Sequence, residues 1–131
     1  MIHYSEEHKL KAVDVAQVFR SSGIKRPVDD LDRIQQMIDQ ADVLISAWED
    51  DKLIGIARSL TDYCYCCYLS DLAVDKAYQG KGIGKELIHR TQHIIGEQCS
   101  LVLISAPDAV SYYPHVGFEQ SDRTFIIARK K

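Results

Sequence analysis

The stretch YQGKGIGKEL, Tyr78–Leu87, places Gly80, Gly82 and Gly84 within five positions and then turns helix-forming. A glycine-rich turn from a strand into a helix presents backbone N–H groups that no intrahelical carbonyl satisfies, and the helix dipole adds partial positive charge at the same end. Glycines let an anion approach that backbone without interference from Cβ atoms. Lys81 and Lys85 add positive charge beside it. As a mere connector, three glycines at a helix start carry conformational cost without benefit. The stretch therefore reads as a phosphate cradle. It is not a nucleotide loop of the GxxxxGK[ST] kind, because Glu86 follows Gly84-Lys85 and Gln79 stands at the first glycine position. It also lacks the GxGxxG spacing of a dinucleotide fingerprint, having GxGxG in mid-chain behind several antiparallel-looking strands.

Working outward, Ile83, Leu87, Ile88, Thr91, Ile94 and Ile95 share one helical face, with Gly96 near its end. Upstream, DVLISAW and KLIGIARSL flank the polar turn EDD, a hairpin pattern. YCYCCYLSDLAV follows as a third strand whose imperfect alternation permits a bulge. Nearer the start, Ser5 with Glu6 and Glu7 opens a helix with Leu10, Val13, Val18 and Phe19 on one face and Gly23 as its stop. IKRP is a loop, and Asp29 or Asp30 caps a second helix carrying Leu31, Ile34, Met37 and Ile38. Downstream, SLVLIS is a buried central strand, APDAVSYY a short helix stopped by Pro114, and GFEQ and RTFIIARK closing strands. A further strand fits Ile2–Tyr4. The order predicts an α/β (α+β) mixed sheet with helices on its faces.

The 131 residues suit one domain spanning 1–131, long enough to bury about two-thirds of the unfolded surface. A formal net charge of -3 gives no support to a nucleic-acid partner. No apolar run approaches the roughly 18 residues of a membrane span, and MIHYSEEHKL lacks the pattern of a signal peptide, so the expected compartment is the cytoplasm. Cys64, Cys66, Cys67 and Cys99 show no paired metal-ligand spacing and read as small buried hydrophobes. No metal is expected.

The segment LAVDKAYQGKGIGKELI resembles motif A of the GNAT superfamily, the acyl-CoA-dependent N-acyltransferases, whose pattern (Q/R)xxGx(G/A) is met by Gln79, Gly82 and Gly84, with Val74 five residues ahead. AVSYYPHVGF is similar to the family's later AxxFYxxxGF through Ala109, Tyr112, Tyr113, Gly117 and Phe118. Arg58, Asp62, Leu69 and Asp71 match the RxxxD and LxD of a group of small bacterial members. The resemblance implies a mostly antiparallel sheet splayed at the cofactor, with helices on both faces. It implies acetyl-CoA as cofactor. Its pyrophosphate would lie on Gln79, Gly80, Lys81, Gly82, Ile83 and Gly84 with Lys85, and its pantetheine arm on Leu72, Ala73 and Val74. Where the family often has an asparagine before the late helix, this chain has Ala106.

Acetyl transfer to an amine needs a deprotonated amine, donors for the developing oxyanion and a proton for the departing thiolate. The resemblance implies direct attack, without a cysteine intermediate. It makes Tyr113 the acid, with a packing role beside Phe118 as the alternative and Tyr112 in the core. An N–H near Leu72 would meet the oxyanion. Asp71, taken to alternate with Leu69 and Ala73, is a base facing the cleft or half of a salt bridge. Ser70, Tyr68 and His115 are further candidates. Arg58 and Asp62, at a strand end near the cleft, would hold a carboxylate and an ammonium of the acceptor, or pair with each other. SSGIKRPVDD would roof the acceptor. The implied reaction is N-acetylation of a small-molecule or exposed protein amine. An acyl-CoA-binding sensor without activity, or a nucleotide-phosphate enzyme, is the alternative. Small members often pair, so a homodimer is open.

Overall fold

The structure, a computed structural model, describes residues 1–7 and 9–131. Five strands form one sheet in the order β1-β2-β3-β4-β5: Ile2–Ser5, Val43–Glu49, Lys52–Thr61, Cys66–Val74 and Ser100–Val102. The first four are antiparallel neighbours, and β5 runs parallel to β4. Helices α1 (Ala12–Ser22) and α2 (Leu31–Asp39) cover one face, and α3 (Ile83–Ile95) covers the other. The expected mixed sheet with helices on both faces is what forms.

Two apolar clusters hold these layers. Ile83, Leu87, Ile88 and Ile95 of α3 pack on Val43, Ile45, Ile54, Cys67 and Leu69. Phe19 of α1 and Ile34 of α2 pack with Trp48, Leu53, Ile56 and Ala73. Both predicted helix stops and one predicted cap are present. Gly23 adopts φ 89 after α1, Gly96 follows α3, and Asp30 accepts a hydrogen bond from Arg33 N at 3.1 Å at the start of α2. The β2–β3 turn is made at Asp50, whose φ of 52 is tolerated by a residue that can bond its own backbone.

The predicted bulge falls on β4. Arg58 of β3 faces Asp71, but its successor Ser59 faces Leu69, so Ser70 is the extra residue. This changes the face of everything beyond it. Cys67 and Leu69 point to α3, whereas Ala73 points to α1 and α2. Asp71 therefore keeps company with Ala73 and not, as simple alternation implied, with Leu69 as well.

Other expectations are corrected. Ser5 does not open α1. It ends β1, paired with Ser46, and its Oγ accepts from Glu7 N in a local turn, while α1 begins at Ala12 and leaves Val13 exposed. The third strand starts at Cys66 because the amides of Cys64, Tyr65 and Cys66 all donate to Asp62 Oδ1, closing a turn. Only Cys67 is buried; Cys64 and Cys66 are exposed and Cys99 lies between. The late helix is replaced by two 3₁₀ turns, Pro107–Ala109 and Tyr113–Val116, each carrying a proline that cannot donate to a helical ladder. SLVLIS yields only three strand residues, and they stand at the sheet edge rather than its centre. GFEQ and RTFIIARK form no strand, and residues 119–131 are exposed throughout.

Candidate active site

The glycine loop joins a 3₁₀ turn, Lys76–Tyr78, to α3. Gly80 and Gly82 take φ 80 and 82, the left-handed region where side chains are strained. A Cβ on either would meet nothing within 4 Å, so backbone conformation rather than crowding demands glycine here, and the surface above both is open. Gly82 is the N-cap of α3 and offers no side-chain acceptor. The first intrahelical bond runs from Glu86 N to Gly82 O at 3.0 Å, which leaves the amides of Ile83, Gly84 and Lys85 directed beyond the helix end. Lys81 and Lys85 are exposed beside them, Lys81 with its Nζ 5.3 Å from the centre of the Tyr78 ring. Gln79 has another task. Its Nε2 donates to Val74 O at 2.8 Å, tying the loop to the end of β4 and occupying that carbonyl.

β4 supplies the second part. β5 pairs with it only from Cys66 to Tyr68, and β4 then continues to Val74 without a strand partner on that edge. The sheet thus splays beside Leu72 and Ala73, as the loop approaches from Val74.

Two tyrosines stand near the start of α3, Tyr112 against Gly84 and Tyr113 against Tyr112. Tyr112 was expected in the core. It is instead 38% exposed, and a Cβ built on Gly84 would lie 2.9 Å from its Oη. Its hydroxyl thus stands over the first turn of α3. Tyr113 is half-buried, edge-on to Tyr112 with ring centres 5.2 Å apart and to Phe118 at 5.5 Å. Burial pushes the Tyr113 phenol above its ordinary value of 10.0, the neighbouring Tyr112 adds to this, and the Arg26 guanidinium opposes it.

Asp71 lies at the centre of a buried ion triad. Arg26 Nε donates to its Oδ1 and Arg58 Nε to its Oδ2, and its side chain has no exposed surface. Arg58 is spent within the protein, its other nitrogens donating to Met37 O and Ser70 Oγ. Arg26 Nη2 donates to Ser70 O at 2.9 Å, the carbonyl of the bulge residue. The loop between α1 and α2 is thereby pinned to β4. Of the two readings of Asp71, this geometry favours the salt bridge, since an amine cannot reach an enclosed carboxylate. Arg58 pairs with Asp71 rather than Asp62. Asp62 sits in the β3–β4 turn, four positions along the strand, where backbone N–H groups hold its carboxyl far below the usual range. These two do not form the acceptor clamp that their spacing suggested. Ser70 is engaged by both arginines, its Oγ accepting from Arg58 and its carbonyl from Arg26, and His115 is exposed in the last 3₁₀ turn.

A family model described as acetyltransferase (GNAT) domain matches residues 3–128. The chain belongs to the GNAT acetyltransferases. An uncharacterized N-acetyltransferase (ycf52) of Pyropia yezoensis is 27% identical over 124 residues, covering 89% of this chain and 70% of that protein. The ycf52-like protein of Prochlorococcus marinus is 27% identical, covering 88% and 66%, so the chain spans about two-thirds of the length of these relatives. A histone acetyltransferase of Glycine max (TAP1) is 36% identical over 76 residues, 54% of this chain and 32% of its own. Among solved structures, a probable acetyltransferase from meticillin-resistant Staphylococcus aureus superposes with a TM-score of 0.87 at 20% identity, covering 100% of both chains. A GNAT protein of Streptococcus pneumoniae gives 0.78 at 22% identity, also with 100% coverage of both chains. At such identities the likeness is one of fold. In this GNAT domain the residues that sequence reasoning missed are Arg26 and Tyr112. Arg26 had no local signal, being 45 positions from Asp71. Tyr112 carried one, its place in the YY pair, but not which ring would face Gly84. Among the described residues no helix is long and apolar enough to cross a membrane.

Proposed function

We propose that this chain transfers an acetyl group from acetyl-CoA to a primary amine, of a small molecule or an exposed protein side chain, by direct attack. The observation that carries the reading is the uncapped start of α3 behind two left-handed glycines, set against the splayed edge of β4. That donor set fits the diphosphate of coenzyme A: clustered amides, a helix N-terminus, two lysines and open space. Gly80, Lys81, Gly82, Ile83, Gly84 and Lys85 would hold it, with Gln79 bracing the loop. Leu72 and Ala73 would offer backbone groups to the arm, while Val74 contributes its side chain, its carbonyl being taken.

Acetyl-CoA, when bound, supplies the acetyl group as a thioester. Tyr113 keeps a proton on Oη at every ordinary pH because burial disfavours the phenolate, so it serves as the proton donor to a departing thiolate. Tyr112 excludes water above Gly84. Arg26 and Asp71 position the loop that roofs the acceptor; neither touches reacting atoms. The exposed thiols support a mechanism without a cysteine intermediate, since the Asp62 carboxylate pushes Cys64 and Cys66 up and away from thiolate. The partial likeness to a histone acetyltransferase is the reason to include peptide lysines among acceptors.

Thermal unfolding with ligands tests the reading. Acetyl-CoA at 100 times its dissociation constant is expected to add about 2.7 kcal/mol, and ATP nothing comparable. Thiol release is then followed with amino acids, polyamines, amino sugars and peptides. Stabilisation by ATP alone would overturn the cofactor. Stabilisation by acetyl-CoA with no turnover on any amine would instead make the chain an acyl-CoA sensor.

A further inference from the structure

One end of the sheet face that α1 and α2 cover is left bare. Cys67 and Leu69 of β4 point to α3, and so do Leu101 and Leu103, so Tyr68 and Val102 between them point the other way. Leu60 of β3 shares that face, two positions beyond Arg58, whose Nη1 donates to Met37 O of α2. The register sets the three side by side: Leu60 pairs with Tyr68, and Tyr68 with Val102. They make an apolar row about 10 Å across at ordinary strand spacing. Yet they are 40%, 38% and 48% exposed, because α1 and α2 pack instead on Trp48, Leu53, Ile56 and Ala73.

The row lies where the sheet forks. Tyr68–Val102 is the last pair between β4 and β5, and the splay beside Leu72 opens directly after it. Arg26 stands at the same place, its Nη2 on the carbonyl of Ser70, two residues from Tyr68. A guanidinium has five N–H groups. Among the described residues Arg26 uses three, on Asp71, Lys25 O and Ser70 O, and its side chain is 28% exposed. The triad sets two arginines against one aspartate, so it carries an excess positive charge. That charge reaches the Tyr113 phenol, whose proton it loosens.

We propose that the acceptor is an α-amino acid with an apolar side chain, its carboxylate on Arg26 and its side chain on the row of Leu60, Tyr68 and Val102. This rests on the acetyl-transfer reading and narrows it to one substrate class. The three substituents of such an acceptor then have separate places, with the amine left to face the splay. A diamine fits poorly, since Asp71 is enclosed by two arginines and Asp62 is taken up by three turn amides. Three side chains are also far fewer than the roughly 20–30 residues of a protein interface, but suffice to seat one small apolar group.

Steady-state kinetics with acetyl-CoA tests the assignment. Leucine and phenylalanine are expected to show kcat/KM about 10-fold or more above leucinamide, which keeps amine and side chain but lacks the carboxylate. They should exceed glutamate, polyamines and peptide lysines by a similar factor. Tyr68→Ser/Val102→Ser, at two exposed positions, should raise the KM for leucine about 10-fold or more with acetyl-CoA affinity unchanged. Leucinamide used as well as leucine would overturn the proposal, as would a preference for glutamate, a polyamine or a peptide. So would a leucine KM indifferent to the double substitution. Calorimetric titration of leucine, with and without coenzyme A, separates this from a failure of the transfer reading. Leucine that binds, and binds more weakly to the double variant, without turnover of any amine would keep the site and sink the transfer. A folded chain that takes up no leucine in either state would overturn the site, whichever amine it acetylates.

Discussion

Tyr113 and Gly82 carry the sharpest expectations at the scale of single residues. Tyr113→Phe keeps the ring that packs edge-on to Phe118 and removes only the proton. Turnover is expected to fall by about 10²-fold or more while the affinity for acetyl-CoA, read by calorimetry, is unchanged. An unaltered rate would remove Tyr113 from the chemistry. The sign of its titration follows from the folded-state shift. The phenol is raised above 10.0 in the folded chain, so its contribution to stability is complete below pH 10 and is lost as pH rises through the folded value. The rate should therefore climb with pH as the acceptor amine loses its proton, and decline only above pH 10. A fall near neutrality would point to another acid. Gly82→Val places a β-branched residue at φ 82, at a cost of about 1–2 kcal/mol or more, but its Cβ meets nothing. The expected product is a folded chain that no longer binds coenzyme A. Retained affinity would argue against the loop.

Between elements, the deciding contact is the ion triad that ties the α1–α2 loop and β3 to the bulge of β4. Removing Asp71 leaves Arg58, a buried guanidinium, without its carboxylate. Asp71→Ala is expected to destabilise by about 3–5 kcal/mol in urea unfolding. Arg26→Ala removes the more exposed partner and should cost less. Its distinguishing effect is a raised KM for the acceptor amine with little change in cofactor affinity, because only the roof loop is released. If Arg26→Ala lowered kcat and left KM alone, a positioning role would be wrong. The bulge at Ser70 is what makes this triad possible. Were Ser70 paired in regular register, Asp71 would share the face of Leu69 and confront α3, whose contact surface is apolar.

For the whole molecule, stability rests on the two clusters that clamp the sheet. Leu87 is fully buried between α3 and the strands, and Leu87→Ala is expected to cost about 2–5 kcal/mol by denaturant unfolding. A loss well under 1 kcal/mol would mean that α3 is held from elsewhere. Much of this architecture was legible in the sequence, for a local reason. Glycine spacing fixes where the backbone turns left-handed, periodicity fixes which side of α3 is apolar, and Asp30 or Gly23 fixes where a helix starts or stops. The turn at Gly80 and Gly82 into α3 is local in this sense, and so its left-handed glycines and helix start were legible along the chain. What only the tertiary structure decided lies in contacts between distant segments. A one-residue offset between β3 and β4 reversed the face of Asp71. An arginine 45 positions away enclosed it. SLVLIS, apolar enough for a central strand, supplies only an edge, and RTFIIARK forms no strand beside it. Strand pairing is a property of two segments at once, and no pattern along either one of them specifies the register or the neighbour.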